Sequence, residues 1–199
     1  MTDDPAIGHS PRLVLASSSP RRRHLLIQAG YRFEVIAPSP DVETGALPDE
    51  AVEQMVLRLA RLKAADVARS IPAGIIIGCD TVALCSEIVL GKPGNREDAR
   101  RMLQLMSGQE HQVLTGLCLW QRPADEVICR LATTSLAMAK LDEEQLDAYL
   151  ETRQWEGKAG GFGYQDKLDW IRIVEGSESN VVGLPLELLA EILDSLPPC

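Results

Sequence analysis

The segment LASSSPRRRHLLIQAG, residues 15–30, constrains the fold of this chain most strongly, because it joins two kinds of periodicity in one bend. Residues 13–16 form an apolar run of strand length, whereas the apolar residues after the arginines recur at helical spacing. Ser19 followed by Pro20 is typical of a helix start, since serine favours the N-cap and proline the first helical position. The segment therefore predicts a strand, a loop and a helix that ends near Gly30.

Arg21 and Arg22 fall in the first turn of that predicted helix, where the helix dipole favours anions rather than cations. Two interpretations remain open. Either the helix is capped and its arginines are solvated, or serine hydroxyls, N-terminal amides and guanidinium groups together bind phosphate oxygens. The formal net charge of the chain is -9, so these arginines are a local exception. That pattern suits a small anionic ligand better than a nucleic acid.

The composition is that of an ordinary soluble globular protein, with 45% hydrophobic and 25% charged residues among 199. That length allows one large domain or two small ones. We expect a cytoplasmic protein with no membrane partner, because there is neither a signal peptide nor an apolar run long enough to span a bilayer. The five cysteines include no CxxC pair and no cluster with histidine. We therefore expect reduced thiols, with neither a zinc site nor a disulfide framework.

Strand-like and helix-like segments alternate along the chain after a polar stretch at residues 1–10, which is expected to be disordered. The remainder, 11–199, contains no repeat or linker and is expected to be one domain. Some predicted strands are close enough to be antiparallel, so the α/β fold should contain a mixed sheet. Helices are predicted at 20–30, from 49 to before Pro72, and at 95–108, 142–152 and 186–196. Strands are predicted at 13–16, 33–37, 74–90 (as a hairpin), 113–120, 127–139 and 168–174.

A charged residue, Asp80, interrupts the apolar run 75–84. A carboxylate in a buried strand is costly unless it is paired, hydrogen-bonded or bound to a metal. Asp80 is therefore either a turn aspartate at a strand break or part of a functional site. Together with Asp41 and Glu43 it would supply oxygen ligands that suit a hard cation such as Mg²⁺.

The sequence contains no motif for several other kinds of nucleotide-binding or catalytic site. The glycine-rich stretch 157–163 is not a GxGxxG motif, and no GxxxxGK[ST] sequence occurs, which excludes P-loop chemistry as far as motifs can. The three histidines form no triad pattern with a serine. Lys92, Lys158 and Gln165 stand at the ends of predicted elements, where each is either a surface residue or a ligand. Carboxylates beside arginines and lysines indicate acid–base or metal-assisted phosphoryl chemistry.

Five blocks of the sequence together resemble the Maf-like nucleotide pyrophosphatases. They are LASSSPRRRHLL, LRLARLKA, GCDTVALCSEIVLGKP, GKAGGFGYQ and NVVGLPL, which occur in the family's order over residues 13 to about 193. One such block is weak evidence, but five in order make a chance match very improbable. The resemblance implies a Maf/ITPase-like α/β fold, in which a long, twisted mixed sheet flanked by helices forms two lobes around a central cleft. It also implies that the protein is often a homodimer.

The resemblance assigns an activity and roles to residues. Members of the family hydrolyse nucleoside triphosphates to the monophosphate and pyrophosphate with a divalent metal cation, Mg²⁺ or Mn²⁺. Asp80 would be the general base or the metal-bound group that activates water, and Glu43 would help to hold the metal. The residues expected to contact substrate are Ser17, Arg21, Arg22, Lys63, Thr81, Lys92, Lys158 and Gln165.

Three positions in the sequence indicate which nucleobase the substrate carries. Members that resemble dTTP/UTP pyrophosphatases carry Arg, Thr and Gln where this sequence has Arg21, Thr81 and Gln165, whereas those that resemble the 7-methyl-GTP enzymes carry Trp, Gln and Glu. An amide can donate and accept at once, and so matches the imide N–H and carbonyl of uracil or thymine. We therefore expect hydrolysis of dTTP, UTP and modified pyrimidine nucleotides. A purine or 7-methyl-GTP pyrophosphatase and a non-catalytic, nucleotide-binding cell-division regulator are the alternatives.

Three residues depart from the family's usual pattern. Glu178 stands where an aromatic or apolar residue is common, and Phe162 and Asp166 stand near positions that often carry Tyr and Gly. None of the three is expected to touch a proposed phosphate contact.

Overall fold

The computed structural model describes residues 11–196. The tail that we expect to be disordered, 1–10, lies outside the described residues, as does Cys199. No helix within 11–196 has the length and apolar character needed to cross a lipid bilayer.

Strands and helices alternate along the described residues, with short 3₁₀ turns at Pro40–Val42, Ala159–Gly161 and Tyr164–Asp166. The strands are β1 (Leu13–Ala16), β2 (Phe33–Val35), β3 (Gly74–Cys85), β4 (Ile88–Leu90), β5 (Glu110–Arg122), β6 (Glu126–Met138) and β7 (Ile171–Glu175). The helices are α1 (Pro20–Gln28), α2 (Val52–Ala68), α3 (Arg96–Met106), α4 (Glu143–Glu151), α5 (Glu178–Val182) and α6 (Leu186–Ser195).

The seven strands form one mixed sheet, which confirms the expected α/β class. The strand order is β2-β1-β3-β5-β6-β7, and the short β4 pairs with β3. The pairs β1–β2 and β1–β3 are parallel, whereas the pairs β3–β4, β3–β5, β5–β6 and β6–β7 are antiparallel. The long strands β3, β5 and β6 therefore form the frame on which the shorter strands and the helices are placed.

A gap opens along one edge of β3, between two short partner strands. β1 pairs with β3 as far as Gly78, and β4 pairs with it from Ala83 onward. Asp80 and Thr81 lie in the gap between those two pairings, while their other edge is bonded to β5. The side chains that the sequence singles out thus lie where β1 ends and α1 begins.

Different helices cover the different parts of the sheet. α2 buries Val56, Ala60 and Ala64 against one face of β3 and β5. On the opposite face, α1 and α6 bury Leu26 and Leu189 with the first part of the sheet. A further core, around α3 and α4, packs against the far end of β3 and the glycine-rich segment.

Most predicted elements are present, but several ends differ. α1 begins at Pro20 with Ser19 as its N-cap, as predicted. α2 begins at Val52 rather than at residue 49, because Asp49 has a φ of 57°, which is outside the helical range. β7 begins at Ile171 rather than at 168. The short α5 and the 3₁₀ turns were not predicted, since elements of three to five residues show no period.

The expectation that the cysteines are all reduced and unpaired is wrong for Cys118 and Cys129. These residues lie directly opposite each other in the β5–β6 pairing, with their Cα atoms 4.1 Å apart, and they form a disulfide. Spacing along the chain could not indicate this pair, because the strand register alone brings the two residues together. Cys79 and Cys85 are buried free thiols, in agreement with their apolar surroundings.

Candidate active site

The bend after β1 forms a small cradle of polar groups at the start of α1. Ser17 is buried, and its Oγ accepts a hydrogen bond from the backbone N–H of Ser19 (3.1 Å). Ser19 in turn caps the helix by accepting from the backbone N–H of Arg22 (3.5 Å). Hydroxyl groups and the N-terminal end of a nine-residue helix therefore face the same gap beside β3.

Arg22 crosses this gap and links three elements. Its Nε donates to the carbonyl oxygen of Gly183 (2.7 Å), and its two terminal nitrogens donate to Ser17 Oγ (3.3 Å) and Thr81 Oγ1 (3.1 Å). The fully buried Thr115 hydroxyl lies 3.0 Å from Thr81 Oγ1. The guanidinium plane is therefore held in one orientation by groups from β1, β3 and the loop after α5, which preorganises it for an anion.

Lys63 of α2 brings two carboxylates together. Its Nζ lies 2.7 Å from Asp80 Oδ1 and 2.9 Å from Glu43 Oε1. Only 7% of the Lys63 side chain is exposed, so the ammonium group depends on these two carboxylates for its charge compensation. Residues from β3, from α2 and from the loop after the first 3₁₀ turn thus meet at one point.

Lys92 and Arg22 lie close enough to act electrostatically on Glu43. The ammonium of Lys63 lowers the pKa of Glu43 below its usual value, and the charges of Lys92 and Arg22 lower it further. We call Arg22, Glu43, Lys63, Asp80 and Lys92 the charged cluster. Its cations outnumber its carboxylates, so it retains an attraction for a polyphosphate in a protein whose net charge is negative.

Two glycines explain how α2 comes close enough to deliver Lys63. A Cβ atom on Gly78 would lie 2.2 Å from the carbonyl oxygen of Ala60, and one on Gly116 would lie 2.2 Å from that of Val56. Both distances are far too short for any side chain, so only glycine allows the helix to lie directly on the strands at these positions. This close approach places Lys63 within hydrogen-bond distance of β3.

A second group of polar residues surrounds the glycine-rich loop, which we define as residues 157–166. One terminal nitrogen of Arg21 donates to the carbonyl oxygen of Gly157 (2.9 Å), and Lys158 forms an ion pair with Asp166. Burial lowers the pKa of Arg21, as does the charge of Arg22, while the Asp166 carboxylate acts in the opposite direction. Asp166 therefore pairs with Lys158, a residue expected to contact substrate, and its charge also acts on Arg21.

A cavity of about 1050 Å³ lies beside this loop. Arg21 and Gln165 lie in its wall, together with His24, Tyr164 and Val182. The charged cluster does not line it, so the structure separates the proposed contacts into two groups. Arg21 and Gln165 face the cavity, and we call it the side cavity.

The glycine-rich loop is fixed against the segment that carries Lys92, because the Gly160 N–H donates to the Gly91 carbonyl (2.9 Å).

The structure thus separates the residues predicted to contact substrate or metal into groups. Ser17 and Thr81 lie with the charged cluster through Arg22, whereas Arg21, Lys158 and Gln165 lie at the glycine-rich loop. Thr115 and Gly183 were missed by sequence reasoning, because a buried threonine and a backbone carbonyl leave no signal in a single sequence. Asp41, named above as an oxygen donor, lies in the 3₁₀ turn just before Glu43 and has no role in the charged cluster. Lys158 differs from the other cations in that Asp166 already pairs with it.

The donor set of the charged cluster fits a divalent cation that binds together with a polyphosphate. Asp80 and Glu43 bring carboxylate oxygens to the same ammonium group, which places them close to each other. Among residues 11–196 there is no group of three or more side chains from histidine, cysteine, aspartate and glutamate that could hold a metal. Mg²⁺ typically binds through one or two carboxylates plus phosphate oxygens and water, so these two residues suffice.

Comparison with known proteins shows that the chain is similar to the members of one family. The family model described as "Maf-like protein" matches residues 12–196. A dTTP/UTP pyrophosphatase from Rhodopirellula baltica is 48% identical over 184 residues, which cover 92% of this chain and 81% of that protein. Another, from Geotalea uraniireducens, is 42% identical over 92% of this chain and 93% of its own length.

The fold also has a solved counterpart. The structure of a HAM1 protein from Coxiella burnetii matches with a TM-score of 0.52, and the match covers 94% of this chain and 100% of that one. The sequences are only 13% identical, so this similarity concerns the fold alone.

Proposed function

The chain belongs to the Maf-like protein family, and from this membership and its charged cluster we propose that it hydrolyses dTTP and UTP to the nucleoside monophosphate and pyrophosphate. The observation that carries the proposal is the contact of Lys63 with Asp80 and Glu43, on which the charge of Arg22 also acts. Relatives up to 48% identical carry the name dTTP/UTP pyrophosphatase. Modified pyrimidine nucleotides with the same imide edge are expected substrates as well.

The triphosphate binds through cations that the fold already holds in place. Arg22 is held by hydrogen bonds to Ser17, Thr81 and the carbonyl of Gly183. Lys63 is held by Asp80 and Glu43, and the charge of Lys92 also acts on Glu43. Ser17 and the first turn of α1 add hydroxyl and N–H donors for phosphate oxygens. Because these groups are preorganised, little conformational entropy is lost when the substrate binds.

Hydrolysis requires a water molecule to attack the α-phosphorus. Asp80 accepts a proton from this water, whose oxygen forms the new bond to phosphorus. The bond between the α-phosphorus and the bridging oxygen breaks, and its electron pair leaves with pyrophosphate. Arg22 and the two lysines stabilise the negative charge that develops on that oxygen. The products are the nucleoside monophosphate and pyrophosphate.

Asp80 and Glu43 would hold a divalent cation, Mg²⁺ or Mn²⁺. Such an ion supplies further neutralisation of phosphate charge and polarises the bonds around phosphorus. The protein's own contribution at this point is to hold both carboxylates close together through Lys63.

The base is proposed to bind in the side cavity, against Arg21 and Gln165. Gln165 is exposed to the cavity and can donate to a pyrimidine carbonyl and accept from its N–H. Thr81 contributes indirectly, because its hydroxyl is bonded to Arg22. This arrangement favours uracil and thymine over bases without an imide group.

A nucleotide panel tests the proposal. Purified protein is incubated with Mg²⁺ or Mn²⁺ and with dTTP, UTP, CTP, GTP or 7-methyl-GTP, and the products are separated by chromatography. We expect pyrophosphate with dTMP or UMP. Turnover of 7-methyl-GTP alone would instead indicate a purine enzyme, and nucleotide binding without turnover would indicate a regulator.

A further inference from the structure

The ion pair between Lys158 and Asp166 is buried within the glycine-rich loop. Each side chain is only 11% exposed, so water screens the pair little. Exposed ion pairs contribute little to structure, but loss of one partner from a buried pair leaves a charge without compensation. Each residue therefore fixes the position of the other, and their contact joins the two ends of the glycine-rich loop.

Three polar groups converge above Gly163. A Cβ atom built on this glycine would lie 2.6 Å from Asp166 Oδ2, 2.6 Å from Lys158 Nζ and 2.8 Å from Gln165 Nε2. Glycine is thus the residue that leaves room for the pair and for the amide group together. The Nε2 atom of Gln165 thus lies near the carboxylate and the ammonium group of this ion pair.

Asp166 also acts on Arg21 at the other end of the loop. Its charge favours the protonated guanidinium of Arg21, whose nitrogen donates to the carbonyl oxygen of Gly157, next to Lys158. Arg21 and Gln165 both line the side cavity. Asp166 therefore acts on Arg21 through its charge and lies near the amide of Gln165, without lining the cavity itself.

We propose that Asp166 is a positioning residue for base selection, which fixes the glycine-rich loop through Lys158 so that Gln165 offers its amide in a single orientation. This inference rests on the proposed function. An amide that can turn freely matches either the imide of uracil or the reversed donor and acceptor pattern of cytosine, whereas a fixed amide matches only one of them. The ion pair thus converts an adaptable side chain into a selective one.

The test compares UTP with CTP in the wild-type protein and in Asp166→Asn, with KM and kcat measured separately. We expect the ratio of kcat/KM for UTP to that for CTP to fall about tenfold, mainly because KM for UTP rises. Asp169→Asn is the matched control, since it removes the same charge from an exposed residue of the following segment that has no ion pair within 11–196. Its ratio should equal that of the wild type.

A double variant keeps the test decisive if Asp166→Asn does not fold. Lys158→Met with Asp166→Leu removes both charges at once, which buried pairs tolerate far better than the loss of one partner. It should also lose the preference for UTP. An unchanged ratio in a folded variant, or an equal fall in kcat for both nucleotides, would overturn the inference while leaving the proposed function intact. If the wild-type protein hydrolyses no nucleotide, both are overturned.

Discussion

The ammonium nitrogen of Lys63 lies 2.7 Å from a carboxylate oxygen of Asp80, although the two residues belong to different elements, α2 and β3. The same nitrogen lies 2.9 Å from Glu43. The charge of Asp80 within a buried strand is therefore compensated, because Lys63 of the helix that packs on this strand supplies the counter-ion. This contact holds the Asp80 carboxylate among the other residues of the charged cluster.

Asp80→Asn should abolish turnover and leave substrate binding largely intact. The amide occupies the same volume and can still accept a hydrogen bond from Lys63, but it cannot take a proton from water. We expect kcat to fall about 100- to 10,000-fold. Steady-state kinetics with UTP measure the loss, and calorimetric titration with a non-hydrolysable UTP analogue measures binding. Ordinary turnover in this variant would show that Asp80 is not the base.

Arg22→Lys should weaken substrate binding even though it conserves the charge. Arg22 uses its planar fork to reach Gly183, Ser17 and Thr81 at once, and a lysine cannot reproduce that geometry. We expect KM for UTP to rise about tenfold, which corresponds to the loss of one charge-assisted hydrogen bond. Arg23→Lys, on the exposed side of the same helix, is the control. Equal kinetics for the two variants would contradict the assignment.

Gly116→Ala should destabilise the protein, because its new methyl group would lie 2.2 Å from the Val56 carbonyl oxygen. α2 must then move away from the sheet, at a cost of about 1–3 kcal/mol in the free energy of unfolding. The movement also draws Lys63 away from Asp80, so activity should fall in the protein that remains folded. Urea denaturation provides the measurement. Gly94→Ala is the control, because a Cβ there meets no atom within 4 Å, and equal stabilities would refute the close-approach argument.

Acid should destabilise the folded state through His111. This imidazole is 3% exposed and packs edge-on against Phe162, with ring centroids 5.3 Å apart. Burial lowers the pKa of His111 to about 4, whereas a histidine in the unfolded chain titrates near 6.5. Between those values the unfolded chain binds a proton that the folded protein excludes. The free energy of unfolding should therefore fall by on the order of 3 kcal/mol as the pH falls from about 6.5 to about 4.

His111→Leu should flatten that part of the pH profile, since leucine does not titrate. Denaturant unfolding at several pH values between 4 and 7 measures the slope for the variant and for the wild type. His24→Leu removes an exposed imidazole and should leave the slope unchanged. Identical slopes for the wild type and His111→Leu would mean that another group causes any loss of stability in acid.

Sequence reasoning reached the mixed sheet and the bend at α1 because both leave local signals. Ser19 and Pro20 mark the helix start in the sequence itself, and the interruption of an apolar strand marks Asp80. The family resemblance named Lys63 as a substrate contact, but no pattern in the sequence indicates its ion pair with Asp80. The contact of Lys63 with β3 depends on the glycines beneath α2, and these are visible as close approaches only once the strands are in register.

Other features depend on long-range contacts that spacing does not encode. The disulfide between Cys118 and Cys129 follows from the β5–β6 register, and the pairing of Lys158 with Asp166 follows from the closure of the glycine-rich loop. The hydrogen bond from Arg22 to Gly183 joins residues 161 positions apart in the chain. Such contacts join residues that only the folded topology brings together.

Hydrolysis of UTP in ¹⁸O-labelled water tests the central claim most directly. If water activated beside Asp80 attacks the α-phosphorus, mass spectrometry will find one ¹⁸O atom in UMP and none in pyrophosphate. Label in pyrophosphate, or the release of phosphate and UDP, would place the attack at another phosphorus and contradict the mechanism.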